Sequence, residues 1–146
     1  VEIPVKLTRR DRALISAAEK TIRRRFKPKR HEIAAALLAG SGRVYTSVQV
    51  ESSVGNSDLC AEWGAISAAL TGGECEFESI VSVRYFPERQ GCYVVPPCGT
   101  CRELLSDLGE VHVILSNGSS LKKEPIRRLL PDRYADRKAR IRNGSA

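Results

Sequence analysis

The chain has no methionine, a single tryptophan and an aromatic content of only 5%. A core built with so few rings must rest on Ile, Leu, Val and Ala, within an apolar share of 42%. No stretch approaches the roughly 18 consecutive apolar residues of a membrane span, so none is expected. The first residues carry no signal-peptide pattern; with Val1 leading and methionine absent, the expectation is a trimmed start. Repeats, low-complexity tracts and linkers are missing as well. A chain of 146 residues without them reads as one compact domain over 1–146.

Also missing is any stripe in which aromatic and basic residues interleave, the pattern that stacks single-stranded bases. The net charge is nevertheless +7. Much of it lies in residues 23–30 and 133–142, near the two ends, which reads as solvated faces and a basic C-terminal tail over about 135–146. Nucleic acid is therefore a possible but secondary partner.

Five cysteines are present, an odd number. Cys60, Cys98 and Cys101 fall into a pattern; Cys75 and Cys92 can pair only if the fold joins them, and read as inert. A reduced, cytoplasmic setting explains this usage best. Cys60-Ala61-Glu62 precedes Pro97-Cys98-Gly99-Thr100-Cys101 by 38 positions, cysteine to cysteine. Both segments read as helix starts, with Asp58 as N-cap of the first and Pro97 just ahead of the second. Residues three apart on a helix are neighbours, so the CxxC pair shares a face. Three sulfurs leave one tetrahedral position open, the arrangement of a catalytic rather than a structural zinc. A fourth ligand from His31, His112 or Cys92 would instead close the site into a folding zinc. Three thiolates against Zn²⁺ leave a formal charge of −1, which two helix N-termini and Arg102 would offset.

Along the chain, Thr8 and Asp11 form a capping box before Leu14, Ala18, Ile22 and Phe26, predicting an amphipathic helix over 9–26. The apolar run 33–39, the turn at Ser41-Gly42 and the alternating run 44–50 predict a β-hairpin. Residues 52–57 read as a loop, and Gly72-Gly73 ends the first zinc helix. Residues 80–86 and 111–115 read as strands, with 87–91 as a polar loop. Asn117-Gly118 is a strong hairpin signal, so the final strand near 120–123 should run antiparallel to 111–115. Pro125 opens a short helix and Pro131 stops it. His112 reads as a core histidine and Trp63 as a packing residue. The alternation gives an α/β architecture with a mixed five-stranded sheet.

These residues resemble the cytidine deaminase superfamily in its three-cysteine form. The likeness covers roughly residues 30–134: an apolar strand at Ile33-Ala34-Ala35-Ala36-Leu37, a sugar-contacting segment at Gln49-Val50-Glu51, and Pro97-Cys98-Gly99-Thr100-Cys101-Arg102-Glu103-Leu104. His31, Val81-Ser82-Val83-Arg84 and residues 131–134 resemble most the blasticidin S deaminase-like bacterial branch. The resemblance implies a three-layer α/β/α fold, hydrolytic deamination of a cytosine-type ring, one zinc per subunit and a homotetramer. It implies Cys60, Cys98 and Cys101 as ligands, Glu62 as proton shuttle, the Ala61 backbone as a ring contact, and Gln49 and Glu51 as contacts to the sugar-like part. Tyr134 or the basic tail would close a neighbouring subunit's site. Gln49 stands where the family usually has Asn, His31 where nucleoside enzymes usually have Phe, and Trp63 where they have Arg. An antiparallel last pair resembles the free-nucleoside branch, whereas the nucleic-acid-editing branch runs those strands parallel. The remaining alternatives are a nucleic-acid deaminase and a non-enzymatic zinc module.

Overall fold

In the computed structural model, residues 6–136 are described. The order is α1 (Arg9–Arg25), β1 (Ile33–Ala39), β2 (Val44–Val48), α2 (Ala61–Thr71), β3 (Phe77–Phe86), β4 (Gly91–Val95), α3 (Gly99–Asp107), β5 (His112–Ser116), β6 (Leu121–Pro125) and α4 (Ile126–Leu129). Among the described residues, no helix is long and apolar enough to cross a membrane.

Helix α1 starts where the capping box places it. Thr8 Oγ1 accepts from the Asp11 N–H and the Asp11 carboxylate accepts from the Thr8 N–H at 2.7 Å. Its apolar stripe (Leu14, Ala18, Ile22) is fully buried, and Arg23, Arg24 and Arg25 lie exposed in its last turn, where positive charge suits the helix dipole.

The sheet follows the path β2-β1-β3-β5-β6. β1 pairs antiparallel with both β2 and β3, β3 pairs parallel with β5, and β5 pairs antiparallel with β6 as expected. These are the five strands read from the sequence. A sixth, β4, went unread: it folds back on β3 from Ser82↔Val95 to Phe86↔Gly91, along the same edge that β5 uses further down. Its five residues mix one exposed ring with half-buried positions, too short and irregular an alternation to declare itself.

β1 is buried on both faces, which is why it reads as a continuous apolar run. Ala34, Ala36 and Leu38 pack with Val81, Val83 and Ile114 against Leu14, Ala18 and Ile22 of α1. Ala35 and Leu37 pack on the other side with Ile80 and Val113 against Ala65, Ile66 and Ala69 of α2, Leu105 of α3 and Ile126. Helices therefore cover both faces, giving the three-layer α/β/α arrangement. Truncating Leu105 to Ala would cost about 2–5 kcal/mol.

Several local expectations shift. Asp58 does not cap α2: Cys60 holds the extended N-cap position, and the Asp58 carboxylate takes the Ser52 N–H at 2.7 Å, closing the preceding loop. The last hairpin turns through four residues, 117–120, with Gly118 at φ +97 and Asn117 Oδ1 accepting the Ser120 N–H. Trp63 is 38% exposed on the outer side of α2, so of the two packing roles, core and interface, it does not fill the first. His112 is half-buried on β5. Most of the basic tail, from residue 137 on, lies outside the described residues.

Candidate metal centre

The bridge between Val50 and Leu59 brings the segment after β2 against the start of α2, and the β3–β4 hairpin delivers Val95 and Pro96 to the start of α3. Two helix N-termini thus converge. Cys60 is the N-cap of α2, Cys98 the N-cap of α3, and Cys101 lies one turn into α3. The sulfurs of these residues face one another across the two helix starts. Cys60 Sγ is 3.6 Å from Cys98 Sγ, Cys98 Sγ is 3.5 Å from Cys101 Sγ, and all three lie within 4.8 Å. Sulfurs bound tetrahedrally to zinc at about 2.3 Å stand about 3.8 Å apart. The donor set and its spacing fit zinc.

Burial and repulsion from Glu62 push the Cys101 thiol far up, and burial with the Cys98 thiol pushes Cys60 up. Burial acts the same way on Cys98, but the Cys101 N–H and the two neighbouring thiols outweigh it and hold it below the usual range. Of the three, Cys98 is the thiol whose surroundings favour the thiolate. Among the described residues the metal-ligating cluster is these three cysteines. His31 sits elsewhere, its Nδ1–H donating to the Gln49 carbonyl at 2.8 Å. The closed, structural zinc site thus lacks a fourth protein ligand among the described residues. All five cysteines are free, Cys75 exposed and Cys92 half-buried.

A cavity of about 210 Å³ opens beside the sulfurs, lined by Gln49, Cys60, Ala61, Glu62 and Cys98, with Ile33, Asp58, Leu59, Val95 and Pro96. Glu62 is 6% exposed and has no hydrogen-bond or ion-pair partner among the described residues. Gln49 Oε1 is likewise buried without a partner. Of the sequence-derived residues, Cys60, Cys98, Ala61, Glu62 and Gln49 meet at this cavity. Glu51 is not among the lining residues; its N–H donates to Arg30 O, and Arg30 Nη1 donates to its carbonyl. Tyr134 is 73% exposed and lines no part of the cavity in its own chain.

Arg102 does not turn to the sulfurs. Its Nε donates to Pro97 O and its Nη1 to Leu129 O, each at 3.0 Å, tying the loop ahead of Cys98 to α4. Sequence reasoning missed Ile33, Val95 and Pro96 as walls. Only the β1–β3–β4 pairing brings them there, and no motif marks them.

A model of the cytidine and deoxycytidylate deaminase zinc-binding region matches residues 8–117. The chain belongs to this deaminase family. Blasticidin-S deaminase of Bacillus cereus is 33% identical over 132 residues, 88% of this chain and 94% of that protein. Cytidine deaminase of Sporosarcina psychrophila is 28% identical, covering 84% of this chain and 89% of that one. The crystal structure of the cytidine deaminase from Bacillus anthracis superposes with a TM-score of 0.76 at 25% identity, over 88% of this chain and 91% of that one. The fold is that of the cytidine deaminases and the protein is an aminohydrolase of that family, with its zinc-binding region at the three-cysteine cluster.

Proposed function

We propose that this deaminase converts the amino group of a cytosine-type ring, in cytidine, deoxycytidine or an analogue such as blasticidin S, to a carbonyl with release of ammonia. The observation that carries the reading is one cavity holding both a zinc-spaced sulfur cluster and a buried, unpartnered carboxylate. Cys60, Cys98 and Cys101 are the ligands of one zinc per subunit. When bound, zinc lowers the pKa of a water to about 7. Glu62 would take a proton from the water whose oxygen bonds to the ring carbon and deliver it to the ring nitrogen. It would then move the proton of the new hydroxyl to the amino nitrogen as the carbon–nitrogen bond breaks and ammonia leaves. One carboxylate suffices because each transfer occurs within reach of the same oxygens. The Ala61 backbone holds the ring, and Gln49 and Glu51 take the sugar-like part.

The active protein is a homo-oligomer, a tetramer by family habit, with Tyr134 or the basic tail completing a neighbour's site. Glu62 is the sole charged residue of α2 and it faces inward, so the outward face is uncharged, with Trp63, Ala68 and Leu70 exposed beside Ser67 and Thr71. A helix apolar all round is normally a buried one. A fully active monomer would overturn this part, and Trp63 emission during dilution reads it directly.

The function is tested by ammonia release from cytidine, deoxycytidine, free cytosine and blasticidin S, with Glu62→Gln as control. Release from the nucleosides marks a salvage-type enzyme, and release from blasticidin S alone a resistance-type one. Silence across the panel from zinc-loaded protein would sink the reading.

A further inference from the structure

We propose that Asp58 makes one side of the cavity a subsite for a cationic group, an ammonium or a guanidinium, carried on the sugar-like part of the substrate. This rests on the deaminase reading above and names a class of substrate that reading leaves open.

The chain carries a net charge of +7, yet no Lys, Arg or His is among the described residues that line the cavity. Its charged lining residues are Asp58 and Glu62, both acidic. Apart from the Gln49 amide nitrogen and the sulfurs, the side-chain polar atoms left open there are acceptors. Gln49 Oε1 is buried without a partner, and the buried Glu62 carboxylate has none among the described residues. Asp58 commits one oxygen, Oδ1, to the Ser52 N–H at 2.7 Å. That N–H is neutral and leaves the Asp58 charge unbalanced, because Asp58 has no ion-pair partner among the described residues.

Local pairing fixes where Asp58 stands. Val50 and Leu59 exchange both backbone hydrogen bonds at 2.9 Å, as an antiparallel bridge. One step along, that register sets Asp58 opposite Glu51, the carboxylate assigned above to the sugar-like part. Glu51 too has no ion-pair partner among the described residues; Arg30 reaches this segment but donates to the Glu51 carbonyl. Glu62 lies beyond Cys60, inside α2, and stays with the ring. The sugar-binding side therefore presents two carboxylates and no cation.

Like charges set opposite each other across a strand pair repel, and a cation held between them removes that repulsion. A cleft lined by one sign of charge also concentrates the opposite sign. An ammonium or guanidinium carries donors and no acceptors, which matches the open acceptors of this side. A phosphate would bring further negative charge against Asp58 and Glu51. The occupant is a small cationic substituent on the nucleoside-like substrate, and Asp58 is the residue that selects it.

The test compares kcat/KM of the zinc-loaded protein for four compounds, in the native chain and in Asp58→Asn. They are cytidine, 5′-amino-5′-deoxycytidine, 3′-amino-3′-deoxycytidine and cytidine 5′-monophosphate. Asparagine keeps an oxygen for the Ser52 N–H and removes the charge. The expected order in the native chain is one amine above cytidine, and cytidine above the monophosphate. The ratio of that amine to cytidine falls about 10-fold in Asp58→Asn. An equal ratio in the two proteins would overturn the inference. So would a native chain that prefers the monophosphate, or that prefers neither amine to cytidine. Should Asp58→Asn fail to fold, salt decides in the native chain. The amine preference shrinks toward about 1 M salt, where the Debye length is about 3 Å, and a preference indifferent to salt rejects the subsite. If no compound is turned over, the deaminase reading fails, and calorimetric titration with the two amines decides the subsite separately. Weaker binding by Asp58→Asn supports it; equal binding, or none by the native chain, rejects it.

Discussion

Two acidic side chains sit in the first turns of two helices on opposite sides of the sheet, and their surroundings differ completely. Asp11, in α1, is 0% exposed and fully partnered: by the N–H and hydroxyl of Thr8, by Ser79, and by Lys123 Nζ at 2.9 and 3.2 Å from its two oxygens. Glu62, in α2, is almost as buried, has no partner among the described residues, and faces a cavity beside three thiols. A buried charge whose hydrogen bonds are complete holds structure together. One left incomplete beside open space is available for proton transfer. The chain places the first kind where α1 meets β6 and the second at the cavity beside the sulfurs.

The largest effect that would test this contrast is Glu62→Gln. Its turnover should fall by about 10⁴-fold, the upper end for a positioned acid–base group, while its melting temperature stays close to the native value. A marked loss of stability would show that Glu62 carries structure too, and the contrast would collapse. The converse substitution, Asp11→Ala, should cost about 3–5 kcal/mol in denaturant unfolding, because it strands Lys123, which is only 14% exposed. Activity per folded molecule should hold.

The same pair makes a pH prediction. Burial pushes the Asp11 carboxyl up, but the Thr8 N–H, Lys123 and the Thr8 hydroxyl outweigh it and hold it below the usual carboxylate range. Its folded-state value is thus depressed, so the stability it contributes is complete above the unfolded carboxylate value of about 3.9 and disappears as pH falls through the lower folded value. The stability gap between native and Asp11→Ala should narrow below about pH 4. A gap constant through that range would contradict the depressed value.

Smaller effects sharpen the picture at each end. Arg102→Ala should weaken zinc binding by about tenfold, since it frees the loop that carries Cys98 from α4. Metal competition against a chromogenic chelator reads this without reference to activity, and unchanged affinity would remove Arg102 from the site's support. Smallest of all, Thr8→Ala should cost about 1 kcal/mol through the lost cap, visible in thermal unfolding and absent from kcat.

Much of this was legible in local sequence. The Thr8–Asp11 box is a four-residue matter, and it starts α1 where expected. The continuous run of β1 announces burial on both faces, and Asn117-Gly118 announces an antiparallel last pair. What stayed hidden involved partners distant in the chain. Lys123 is separated from Asp11 by 112 positions, and nothing near either predicts their contact. Asp58 looked like a cap because its residue type suits one, yet the loop needed its carboxylate more than α2 did.

The sequence by itself determined the chemical groups of the proposed site. Ligand type, CxxC spacing and the glutamate two positions past Cys60 are set by covalent neighbours, and helix periodicity alone puts paired sulfurs on one face. Only the tertiary structure decided what surrounds that chemistry. Pairing of β1, β3 and β4 carries Ile33 and Val95 into one wall, and the opposite packing of α1 satisfies Asp11 while Glu62 remains open. Cross-strand register joins residues about 50 positions apart, and no local pattern encodes which side chain will stand beside which.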